Sequence, residues 1–95
     1  MSVRLIITFT ARPEKQAEFA NLLQQVKHTL PTVPGCYAVN VFNGVADPNV
    51  FTLVEHWDSE ASHRRHIEEV VRSGGWAQVA AHLAGDPVSS YFREI

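Results

Sequence analysis

"CYAVNVFNGVADPNVFTLVEHW" (Cys36 to Trp57) holds two runs rich in β-branched and aromatic residues, separated by Gly44-Val45-Ala46-Asp47-Pro48-Asn49. Gly, Asp, Pro and Asn in the break are turn formers, so the segment predicts a hairpin: a strand from Cys36 to Asn43, a loop, and a strand from Val50 to Trp57. A connection this short joins only antiparallel neighbours. Upstream, Val3, Leu5, Ile7 and Phe9 alternate with Arg4, Thr8 and Thr10, which predicts another strand. Arg12-Pro13-Glu14 then starts a helix, with Pro tolerated in the first turn and Glu14 near the positive end of the dipole. Phe19, Leu22, Leu23, Val26 and Leu30 supply its buried stripe, and Pro31 and Pro34 end it before the Pro34-Gly35 turn.

Downstream, Asp58 or Ser59 caps a second helix that runs to about Arg72 and breaks at Ser73-Gly74-Gly75. A short helix from Trp76 presents Trp76, Val79, Ala80 and Leu83 on one face, and Val88 to Glu94 forms a last strand. The order is βαββαβ. This predicts one α+β domain over residues 1–95, ferredoxin-like, with both main helices on one face of an antiparallel sheet.

The other face is not polar enough for water. Ile6, Phe42 and Val54 lie there, with Tyr37, Val39 and Val41 assigned to the helix side of the second strand. A second copy of the chain is the simplest cover, giving a homodimer and a dimeric α+β barrel. A chain of 95 residues with one cysteine, Cys36, also lacks disulfides to reinforce a small core, which points the same way.

Eight Lys and Arg against ten Asp and Glu give a net charge of −2, so no basic field favours nucleic acid or anionic lipid. No apolar run approaches the roughly 20 residues that cross a bilayer, and Met1 leads directly into a strand-like run without a secretory pattern. The expectation is a cytoplasmic protein with no membrane or nucleic-acid partner.

Chemistry concentrates in "VEHWDSEASHRRHIEE" (Val54 to Glu69). His63, His66, Ile67 and Val70 fall on the apolar side of the second helix, while Arg64, Arg65, Glu68 and Glu69 lie around the other side. The spacing lets Arg64 pair with Glu68 and Arg65 with Glu69 in the less favourable orientation. On the third strand Glu55 and Trp57 share one face and His56 takes the other. A carboxylate beside a helix histidine orients the imidazole and raises its pKa, which suits a general base. The alternatives are local hydrogen bonding for Glu55, His63 and His66, and core packing for Trp57 and Trp76. For Phe9, Phe42 and Tyr91 the alternative is core or dimer contact. No His-Glu-x-x-His or Cys/His spacing marks a metal site, and no Gly-rich loop marks a nucleotide.

"FTARPEK" (Phe9 to Lys15), "VPGCYAVNVF" (Val33 to Phe42), "DPNVFTLVEHWDSEASHRRH" (Asp47 to His66) and the last strand together resemble the antibiotic biosynthesis monooxygenase (ABM) family, which includes quinol monooxygenase-like proteins. The resemblance implies a dimeric α+β barrel and a cofactor-independent monooxygenase that oxidises a quinol- or anthrone-type aromatic with O₂. The family's strand-three Trp and helix-two His fall on Trp57 and His66. On this reading His66 is the base or proton shuttle, His63 a second candidate and Glu55 the group that orients the imidazole. Trp57, Phe9, Phe42 and Trp76 would contact the substrate. Ile7 stands where haem-degrading relatives carry an Asn, and His63-Arg64-Arg65 makes the helix more polar than is typical. A non-catalytic small-molecule-binding or stress-associated module, and a lactone isomerase-like enzyme, are the rival readings.

Overall fold

Alternation along the first strand becomes alternation in burial: Val3, Leu5, Ile7 and Phe9 are buried, whereas Arg4, Ile6 and Thr8 are only partly covered. The computed structural model describes residues 1–95. It contains β1 (Val3–Thr10), α1 (Gln16–Thr29), β2 (Cys36–Asn43), β3 (Val50–Trp57), α2 (Glu60–Arg72), α3 (Gly75–Ala80) and β4 (Val88–Phe92). A 3₁₀ turn at Pro13–Lys15 leads into α1, and a second at Leu30–Thr32 leaves it. The sheet is antiparallel in the order β2-β3-β1-β4, the ferredoxin-like arrangement expected from the order of elements.

Register fixes which side chains share a face. Val3 lies opposite Trp57, Leu5 opposite Glu55 and Tyr91, and Ile7 opposite Leu53 and Ser89, so these line the helix side. Phe19, Leu23 and Leu30 of the α1 region are buried against that side. Phe19 meets Phe9 and Phe51 edge to face, with ring centroids 5.3 Å apart in each pair.

Two details depart from the sequence reading. A bulge between Cys36 and Ala38 leaves Tyr37 without a partner in register, and its ring packs against His56 with centroids 5.1 Å apart. Tyr37 therefore lies on the opposite side to Val39, which is where one extra residue in a strand sends it. On α2 the charges pair as Glu60–Arg64 at 3.3 Å and Glu69–Arg72 at 2.6 Å, not as Arg64–Glu68 and Arg65–Glu69. Both observed pairs place the acid N-terminal to the base, the orientation that the helix dipole favours. Ala80, assigned to the inner face of α3, is exposed.

Gly35 sets where α2 begins. Its φ of +92° is left-handed, and a Cβ there would lie 2.8 Å from the Ser62 Cβ. The Gly35 carbonyl accepts from the Asp58 N–H at 2.8 Å, and Ser59 caps the helix by accepting from the Ser62 N–H at 3.2 Å. The end of β3 and the first turn of α2 are thereby locked to the start of β2. No helix is long and apolar enough to cross a membrane.

Candidate active site

Strand alternation points Glu55 at the helices, and its side chain is buried, with the residue only 6% exposed. The Trp57 indole N–H donates to its Oε1 at 2.9 Å. Burial raises the carboxyl pKa above its ordinary value, and the Trp57 hydrogen bond holds it back. His63, also 6% exposed, places Nε2 4.0 Å from the same Oε1. Its Nδ1 lies 2.6 Å from the Tyr91 hydroxyl, while Nε2 is buried without a hydrogen-bond partner.

The expected effect of the carboxylate on the histidine is reversed. Burial, then the positive potential of His66 and Arg64, depresses the His63 pKa from 6.5 to about 4. Desolvation outweighs attraction at 4.0 Å, so the pair is no salt bridge at neutral pH. Burial lowers the His66 pKa as well.

The inner wall of this group is a cavity between the sheet and the helices. One lobe, of about 410 Å³, is lined by Phe9, Leu23, Leu53, Glu55, His66 and Trp76 among others. The second, of about 320 Å³, is lined by Leu5, Ile7, His63 and Ser89, and shares Phe9, Glu55, Ile67 and Trp76 with the first. Glu55 is thus the acidic group common to both lobes. Outside, His66 and Val33 also border an open polar groove of about 550 Å³ that carries Arg65 and Arg72. No cluster of three or more His, Cys, Asp or Glu is arranged to hold a metal ion.

Of the residues singled out from sequence, Glu55, His63, His66, Phe9 and Trp76 converge on the cavity. Trp57 does not reach it. Its side chain is fully buried behind the site, with ring centroids 5.4 Å from His63 and 5.5 Å from His66, so it supports Glu55 and both imidazoles. Phe42 lies opposite Thr52, on the far face of the sheet, and is 55% exposed. Tyr91 is the residue that sequence reasoning set aside. Its alternation with Phe92 places it on the helix face, but nothing local reveals its bond to His63, 28 residues away.

The model of the antibiotic biosynthesis monooxygenase family matches residues 2–69. The chain belongs to this family. The resemblance seen in the sequence and the ferredoxin-like α+β fold read from the order of elements are both borne out. Among solved structures, a conserved protein from Methanosarcina mazei Go1 is 22% identical with a TM-score of 0.86, covering 100% of this chain and 94% of that one. Rv0793 from Mycobacterium tuberculosis is 18% identical with a TM-score of 0.86, covering 100% and 96%. A variant of SnoaB, a cofactor-independent oxygenase from Streptomyces nogalater, is 15% identical with a TM-score of 0.82, covering 98% and 92%. No functionally curated protein matches the sequence. At these identities the structural likenesses speak to the ABM fold alone.

The buried histidine predicts acid sensitivity. Between pH about 6.5 and about 4 the unfolded chain protonates His63 while the folded one does not, so stability falls as pH drops through that window, by roughly 3 kcal/mol at most. Glu55 works the other way, because its folded-state carboxyl takes a proton before the unfolded one does. Urea unfolding of wild type and His63→Gln at pH 7 and pH 4 separates the two. The variant is expected to lose less stability on acidification; an equal loss would show that His63 is not the responsible group.

Proposed function

We propose that the chain is a cofactor-independent monooxygenase that oxidises an electron-rich quinol- or anthrone-type aromatic with O₂. The observation that carries this reading is the buried pair on the wall of an apolar cavity, a carboxyl and an unpartnered imidazole nitrogen 4.0 Å apart. Burial raises the Glu55 pKa, which strengthens its carboxylate as a base, and keeps His63 neutral beside it, so a proton taken from a substrate has a nearby home. Deprotonating an anthrone or phenol leaves an electron-rich anion that itself reduces O₂. For an anthrone the CH₂ becomes C=O, one oxygen atom enters the carbonyl and the other leaves as water; the substrate supplies all four electrons. The protein's tasks are to accept the proton, hold the ring system and keep water out.

The Glu55–His63 pair receives and stabilises the proton in this scheme, with His66 bordering the larger lobe as a second titrating side chain. Phe9 and Trp76 hold the aromatic substrate, and Trp57 fixes Glu55. Family membership supports the reading, as does the SnoaB fold likeness. O₂ uptake is to be followed with a panel of anthrones and hydroquinones, and products analysed by mass. Uptake with incorporation of one oxygen atom is expected. No uptake above a Glu55→Gln, His63→Ala control would overturn the proposal, and ligand-dependent stabilisation without uptake would favour the binding module. Product formation in the absence of O₂ would favour the isomerase.

The working unit is a homodimer. Register places Phe42, Val88 and Phe92 on the sheet face away from the helices, and Tyr37 packs on His56 there; they are 55, 74, 51 and 60% exposed. Ile6 and Val54 lie between them, interleaved with Arg4, His56, Thr8 and Thr52, so the face is mixed, with its exposed large apolar side chains suited to a second copy. Sedimentation at low micromolar concentration is expected to show a dimer, and Phe42→Lys with Phe92→Lys a monomer. A wild-type monomer under those conditions would refute the assembly.

A further inference from the structure

We propose that Tyr91 is a positioning residue: it holds His63 in the tautomer with the proton on Nε2, facing Glu55, and so makes the carboxylate the group that receives the substrate's proton. This rests on the monooxygenase reading for its catalytic consequence, but the tautomer is a property of the protein alone.

Tyr91 reaches His63 because β4 places it opposite Leu5, on the helix side of the sheet. The two rings are perpendicular, with centroids 5.4 Å apart, and the hydroxyl lies 2.6 Å from Nδ1. Two proton arrangements fit that contact. In one, Nδ1–H donates to the phenol oxygen and the bare lone pair of Nε2 points toward Oε1 of Glu55. In the other, the phenol donates to Nδ1 and Nε2–H points there.

Glu55 sets which way the Tyr91 bond runs, and that bond then holds the proton on Nε2. The indole N–H of Trp57 can only donate, so Oε1 is already committed as an acceptor and turns electron density toward its neighbours. At 4.0 Å, in a buried setting, a second lone pair aimed at Oε1 is repelled, and an N–H is attracted. Arg64 reinforces the choice, because its guanidinium sits 5.6 Å from the Tyr91 ring centroid and a cation over a phenol strengthens the hydroxyl as a donor. The depressed pKa of His63 keeps the ring neutral near pH 7, where a tautomer is defined.

The consequence reorders the site. With Trp57 and His63 both presenting N–H groups to Oε1, no protein hydrogen bond engages Oε2. The substrate proton passes to that oxygen, its electron pair stays on the aromatic anion, and the proton returns to the oxygen atom that leaves as water. His63 stabilises the carboxylate before it takes the proton and after it gives it back, and is not itself the acceptor.

The test is nitrogen NMR of ¹⁵N-histidine-labelled protein, wild type and Tyr91→Phe, at neutral pH. Wild type is expected to show an unprotonated Nδ1 and a protonated Nε2 for His63, and Tyr91→Phe a shift of proton population onto Nδ1. With a turned-over aromatic, Tyr91→Phe should lower kcat by roughly fivefold to tenfold at nearly constant KM, the worth of one buried neutral hydrogen bond. A wild-type Nδ1–H, or a Tyr91→Phe protein with its tautomer unchanged, would overturn the proposal. The expected tautomers together with no turnover of any aromatic would support the positioning role and sink the oxygenase reading.

Discussion

Trp57→Ala is expected to leave the chain with little or no stable native state. The indole is fully buried and sits where β3, the start of β2 and α2 meet, opposite Cys36 and Val3 and against both inward histidines. Removing such a side chain costs about 3–5 kcal/mol through lost burial and the cavity left behind. A second cost follows, because Glu55 loses its one short hydrogen bond, and a buried acceptor without a partner adds roughly 1–3 kcal/mol. The two come to about 4–8 kcal/mol against the total of about 5–15 kcal/mol that a small domain holds, enough to take all the stability at the lower end of that range. Trp57→Phe separates the two costs: the ring largely remains and the donor is lost. That variant should fold with reduced stability and a Glu55 pKa higher still, since the indole bond is what holds the carboxyl down. Urea unfolding at matched protein concentration measures both. A Trp57→Ala protein within about 1 kcal/mol of wild type would show that the indole is not the keystone of this corner.

The bounds of β1, β2 and β3 were legible because period-2 alternation and turn residues are local signals, and α2 was legible from its cap and its Ser-Gly-Gly stop. The bulge at Tyr37 was not, because the preceding Gly35 marks a turn equally well and only pairing with β3 shows the extra residue. Helical spacing turned His63 and His66 inward, and strand alternation put Glu55 and Trp57 on one face without fixing which; pairing with Leu5 of β1 puts that face toward the helices. The sign of their electrostatics was not legible: a carboxylate 4.0 Å away raises a histidine pKa in water, whereas here desolvation wins. Burial depth is a product of packing by distant segments, and no local pattern reports it. Tyr91 was missed for the same reason, and Trp57 was assigned to the cavity because an inward aromatic looks the same whether it lines a void or lies behind one.

Glu55→Gln is expected to move activity and stability in opposite directions. As the proposed proton acceptor, Glu55 is the group whose loss should lower kcat by roughly 10²–10⁴-fold, the usual worth of a general base. Gln keeps the length of the side chain and an amide oxygen for the Trp57 N–H, so the hydrogen bond at 2.9 Å has a replacement acceptor. What disappears is the burden of a carboxylate held out of water. A folded-state pKa above 4.5 means that ionised Glu55 opposes folding, and that wild type gains stability as pH falls through the folded pKa toward 4.5. The variant should therefore be more stable than wild type at pH 7, by roughly 1 kcal/mol, a common size for a site that trades stability for activity. Its advantage should shrink on acidification and vanish below pH 4.5, where the wild-type carboxyl is protonated in both states. Urea midpoints at pH 7 and pH 4, measured beside O₂ uptake, give both readouts from one preparation. Activity within threefold of wild type would remove Glu55 as the acceptor and return that role to His63 or His66. A loss of stability at pH 7 would instead make the ionised carboxylate a structural element, stabilised by Trp57 more than burial penalises it.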